Sequence, residues 1–75
     1  MDEVEIRQEP IELYKVLKLA NIAASGGEAK MLVADGVVLL NGVRETRKRK
    51  KIVSGDIVEV DGTQVQVILK TNQPE

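Results

Sequence analysis

Arg47, Lys48, Arg49, Lys50 and Lys51 are five cations in succession, and with Arg44 they gather six of the eleven Lys and Arg residues into eight positions. Only Glu45 opposes them, so six positive charges against one negative leave this stretch at +5 in a chain whose net charge is -1. The chemistry such a run can do is recognition of anions. A docking phosphate responds to the field within roughly a Debye length of 8 to 10 Å, not to the molecular sum. Arg adds geometry to that field, because a guanidinium grips a phosphate through two parallel hydrogen bonds whereas an ammonium acts as a point charge. A second group with chemical potential is Ser25-Gly26-Gly27-Glu28, followed by Lys30. Its spacing is that of a capping box, in which the Ser hydroxyl accepts from the third amide of a helix and the Glu carboxylate reaches back. Two glycines at a helix start also allow an anion to approach bare amides.

Bond-making chemistry has little to work with. The chain contains no Cys and no His, which excludes disulfides, thiolate ligands and imidazole acid-base catalysis. We expect no enzyme activity, no cofactor, no metal and no small-molecule substrate. Tyr14 is the sole aromatic residue, so the stacking of successive bases on two or three rings is not available either. The amino terminus is acidic, with Asp2, Glu3, Glu5, Glu9 and Glu12 against Arg7 alone, and no apolar run approaches the roughly 20 residues that cross a bilayer. These features predict a soluble cytoplasmic protein without a membrane partner. No long apolar surface stripe calls for a dimer, and a monomer is expected.

Seventy-five residues make one domain with a marginal core. Val4 to Arg7 alternate apolar and charged and predict a short strand, with Glu9-Pro10 closing it and opening a helix. Leu13, Val16, Leu17 and Ala20 form one apolar helical stripe, leaving Tyr14, Lys15 and Lys18 off it. Tyr14 and Lys18 are one turn apart on a flank open to solvent or a partner, and half-buried packing is the simpler role for Tyr14. A second helix starts at Ser25, buries Ala29, Leu32 and Val33, and ends at Gly36. The period then changes to two: Val37 to Leu40, an Asn41-Gly42 turn of type I′, and Val43 to Thr46 predict one hairpin. Ile57 to Val60, Asp61-Gly62 and Gln64 to Leu69 predict another, and Thr71 to Glu75 a frayed tail.

The order of these fragments resembles the S-four RNA-binding domain, also called the alpha-L motif. The helix pair, Ser25 to Val33, Gly36-Val37-Val38, Leu40-Asn41-Gly42 and Gly55-Asp56-Ile57-Val58 carry the resemblance over Ile11 to about Val60. Within that family the chain is most similar to small stand-alone bacterial proteins of the YbcJ type, through Ser25-Gly26, Ala29-Lys30, Glu45 to Arg49 and Lys51-Ile52-Val53, and there the likeness extends nearly to Leu69. The resemblance implies an α+β fold, with a two-helix hairpin packed on a small, mostly antiparallel sheet of four to five short strands. It also implies binding of structured RNA, ribosomal or transfer RNA by analogy. In the wider family a basic residue follows the Ser or Thr that opens the second helix; here Gly26 stands there, and Lys30 keeps the later basic position.

The expected RNA-binding residues are Lys18, Ser25, Gly26, Gly27, Lys30, Asn41, Arg44, Arg47, Lys48, Arg49, Lys50 and Lys51. A straight strand over Arg47 to Lys51 would point its side chains alternately to opposite sides, so we expect a loop there, or an edge strand using one set. Shape and backbone contacts would dominate, because A-form RNA exposes ribose and phosphate in its shallow groove. The competing reading is a protein-interaction adaptor whose basic segment docks on an acidic partner. A nuclear import tag would also suit Lys48 to Lys51, but sits poorly with the bacterial resemblance.

Overall fold

The computed structural model describes residues 1–70; the expected tail at Thr71 to Glu75 lies outside them. The chain runs β1 (Asp2–Ile6), β2 (Ile11–Glu12), α1 (Leu13–Leu19), α2 (Gly26–Ala34), β3 (Val38–Leu40), β4 (Val43–Arg44), β5 (Lys51–Ile52), β6 (Ile57–Val60) and β7 (Thr63–Leu69). Five strands form a mixed sheet in the order β1-β7-β6-β3-β4, and β2 pairs with β5 in a separate two-stranded ribbon. All contacts between neighbouring strands are antiparallel except β1 beside β7, where Val4 lies opposite Val67.

Alternation builds the sheet. In β1, Val4 and Ile6 are buried while Asp2, Glu3 and Glu5 are exposed, and in β7 Val65 and Val67 turn inward. Charges along β1 also discourage another chain from pairing with this edge strand. The two hairpin turns take the geometry their residues favour: Asn41 and Gly42 have φ of 52° and 84°, both in the left-handed region required by a type I′ turn.

The helices contribute Leu13, Val16, Leu17, Ala29 and Val33, all fully buried, to a core shared with Val38, Ile52, Val58 and Val67. Each of the Val, Leu and Ile side chains among them is worth about 1.5–3 kcal/mol when fully removed from water. No polar or charged side chain is buried among the described residues. Gly36 ends the second helix with φ 76°, and a Cβ there would sit 3.4 Å from Arg44 Cδ. Both facts favour glycine at this position.

One expectation needs correction. The first helix begins at Leu13 and not at Pro10, because Ile11 and Glu12 pair instead with Ile52 and Lys51. Two short segments forty residues apart thus form a ribbon that adds to the expected four or five strands.

Candidate nucleic-acid interface

α1 has only seven residues, too few to persist alone. Its packing supplies part of the answer, and its first amides supply the rest. Leu13 N–H donates to the Lys50 carbonyl at 2.9 Å and Tyr14 N–H donates to the Lys48 carbonyl at 3.1 Å. These are groups that an α-helix leaves unpaired at its start, and here the backbone of the basic run satisfies them. The basic segment is therefore bolted to the helix pair. It forms a loop, closed by Lys50 N–H donating to the Arg47 carbonyl at 3.1 Å, before Lys51 enters β5. Arg47, Arg49, Lys50 and Lys51 line one open hollow of about 300 Å³.

Carboxylates beside the basic run, Glu45 and Glu12, pair with two of its arginines. The Arg47 guanidinium donates twice to Glu45, Nε to Oε2 at 3.0 Å and Nη2 to Oε1 at 3.2 Å, and the Arg47 amide donates to Oε2 at 2.9 Å. These hydrogen bonds hold the Glu45 carboxyl down at about 2 and raise Arg47 above its ordinary value. Glu12 stands 3.5 Å from Lys15 Nζ and 3.9 Å from Arg49 Nε. Both arginines keep most of their side-chain surface in solvent, 71% for Arg47 and 65% for Arg49, so they remain open to a ligand.

Tyr14 links the loop to the second helix. Lys30 Nζ lies 4.8 Å from the centre of its ring, within cation–π range, and Lys15 Nζ lies at 5.9 Å. A Cβ on Gly26 would sit 4.0 Å from Tyr14 Cε2. Ser25 Oγ accepts from the Glu28 amide at 3.1 Å, half of the expected capping box; no return bond from the Ser25 amide to Glu28 occurs among the described residues. Lys18, in the last turn of α1, shares a hollow with Tyr14, Lys15 and Gly26. One connected face thus runs from Arg47 to Lys51, over the start of α1 and Tyr14, to Lys30 and the Ser25 to Gly27 turn. Gly27 itself is exposed beside Ser25.

Two expected residues fall outside this group. Asn41 has its carboxamide occupied within the fold: Nδ2 donates to Asp56 Oδ1 at 3.1 Å and Oδ1 accepts from the Ile57 amide at 2.8 Å. It ties the first hairpin to the Asp56 turn. Arg44 lies over Gly36, beyond the far end of α2, and nine helical residues separate that end from Gly26 by about 13 Å. Conversely, Lys15, Glu12 and the central position of Tyr14 escaped sequence reasoning. The signal available was a lone aromatic residue with lysines one and four positions on.

Comparison with known proteins adds a separate line. The family model described as S4 domain matches residues 4–68. The chain belongs to the S4 domain family. Among its S4 relatives, Escherichia coli (strain K12) "Putative RNA-binding protein YbcJ" is 47% identical over 58 residues, covering 77% of this chain and 83% of that protein. Bacillus subtilis (strain 168) "Probable ribosome maturation protein RlbA" is 39% identical over 59 residues, 79% of this chain and 83% of the relative. The solution structure of E. coli YbcJ, described as revealing an alfaL motif involved in RNA-binding, superposes with a TM-score of 0.71 at 42% identity. That superposition covers 91% of this chain and 87% of YbcJ. The S4 match begins at Val4, so it takes in the end of the first strand as well as the helix pair and hairpins.

Proposed function

We propose that this S4 domain is a non-catalytic RNA-binding module acting in the cytoplasm, gripping the ribose-phosphate chain of structured RNA, with ribosomal or transfer RNA the natural candidates. The observation that carries this reading is the pair of hydrogen bonds from Leu13 and Tyr14 to the Lys50 and Lys48 carbonyls. They fix a +5 segment against the helix pair, so the cations meet a ligand as a preorganised set and lose little freedom on binding. Arg49, Lys48, Lys50 and Lys51 supply the field, Arg47 is oriented by Glu45, and Lys30 and Lys18 extend the face past Tyr14. The Ser25 to Gly27 turn offers amides at the edge of the same surface. The names of the YbcJ and RlbA relatives point the same way.

The deciding experiment is a salt titration of binding to a folded ribosomal or transfer RNA fragment. Neutralising four to six phosphates gives a slope of log affinity against log salt of about -3 to -5, at roughly -0.7 to -0.9 per contact. A slope near zero would reject the mechanism. Complexes recovered from cells should dissolve on ribonuclease treatment; survival would favour docking on an acidic protein.

A further inference from the structure

The basic face contains a feature that phosphate binding leaves unused. On the opposite flank of α1 from its buried stripe, Ile11, Tyr14 and Leu19 form the apolar part of an open hollow of about 610 Å³, with Lys15, Lys18 and Asn21 also on its lining. Leu19 is 52% exposed and shares the hollow with the only aromatic ring in the protein. The Tyr14 hydroxyl makes no hydrogen bond among the described residues, and neither does the Asn21 carboxamide, in contrast with that of Asn41. An apolar wall containing a π-face, flanked by two ammonium groups and one free carboxamide, is matched to a group that is flat, aromatic, edged with hydrogen-bonding atoms and joined to a phosphate.

We infer that this hollow receives one unpaired nucleotide of the bound RNA, its base against Tyr14 and Leu19 and its phosphates beside Lys15 and Lys18. The inference rests on the RNA-binding reading and deepens it. A single ring cannot read a run of bases, but it can hold one flipped out of a loop or bulge, since every base offers a face for stacking. Lys30 is outside the lining of the hollow and 4.8 Å from the ring centre, so it can fix the ring without occupying the cavity. Asn21 has both a donor and an acceptor to present to a base edge. The module would then prefer RNA with an unpaired nucleotide next to a duplex over uninterrupted duplex.

The test uses the wild-type chain and three synthetic RNAs: a hairpin with an unpaired loop, the same hairpin with abasic riboses in that loop, and a blunt duplex of equal length. The first should bind about tenfold more tightly than the other two, as expected for one stacked base. Tyr14→Leu, which keeps apolar volume, should erase that preference, and Tyr14→Phe should keep it. Because Tyr14 is the sole aromatic residue, its emission reports this site alone and should be quenched by the looped hairpin only. Equal wild-type affinity for the looped and abasic hairpins, or an equal loss for all three RNAs in Tyr14→Leu, overturns the inference. If the steep salt slope persists in that case, phosphate binding stands and only the base site falls. If none of the RNAs binds, both fall. The wild-type comparison needs no variant and holds even if Tyr14→Leu fails to fold.

Discussion

The two helices start differently. α1 follows Glu12, whose side chain caps nothing, and hands its first amides to carbonyls of Lys50 and Lys48 some thirty-five residues away. α2 follows Ser25, whose hydroxyl closes the cap locally on Glu28. The same backbone need is thus met once by long-range pairing and once by a neighbouring side chain. The first solution couples helix stability to the position of the cations; the second leaves α2 self-contained, and Gly26 and Gly27 amides without acceptors among the described residues.

Breaking the long-range start should have the largest effect. Ile52 is fully buried, pairs with Ile11 and follows directly on the basic loop. Ile52→Ala should cost about 2–5 kcal/mol in chemical denaturation, speed hydrogen exchange at the Leu13 and Tyr14 amides, and weaken RNA binding although no charge is removed. Next, Arg47→Ala with Arg49→Ala should weaken RNA binding by at least ~1 kcal/mol while leaving the melting temperature nearly unchanged, since both side chains are solvent-exposed. Singly, Arg49→Ala should cost more than Arg47→Ala, because Arg47 already satisfies Glu45. Breaking the local start should do less to the loop: Ser25→Ala should lower stability by ~1 kcal/mol and leave exchange at Leu13 and Tyr14 slow.

The smallest effect is confined to the Glu45–Arg47 latch. Its folded carboxyl titrates at about 2, below the ordinary carboxylate range. The latch therefore contributes stability above that range and loses it as pH falls towards 2. Carboxyl-carbon NMR should place the Glu45 midpoint near 2, and Arg47→Ala should raise it only part of the way back, because the amide at position 47 still donates to Oε2 and Lys50 is still nearby. An unchanged midpoint in the variant would show that Arg47 is not the cause.

Local signals carried most of the fold. The stripe from Leu13 to Ala20, the Ser25 cap, Gly36, and the Asn41-Gly42 and Asp61-Gly62 turns each announce their element within a few residues. The β2–β5 ribbon was not legible, because two-residue strands have no period of their own and pair across forty residues. That pairing also displaced the helix start from Pro10 to Leu13. At the site, the cation run was evident from composition, and a loop was one of two expected forms, beside an edge strand, because a straight strand would turn its side chains alternately to opposite sides. Lys30 over Tyr14 arises only when α2 packs on α1, and the bonds of Asn41 to Asp56 and Ile57 depend on residues that the chain brings together only on folding.

The parallel register of β1 against β7 governs how the molecule can be assembled. Residues 2–6 precede their partners at 65–69 by some sixty positions, whereas β3–β4 and β6–β7 close within a few positions. A nascent chain must therefore keep Val4 and Ile6 unpaired until almost the whole domain exists. Closure of the sheet is consequently a late, chain-wide event, with the slower kinetics that distant pairings impose.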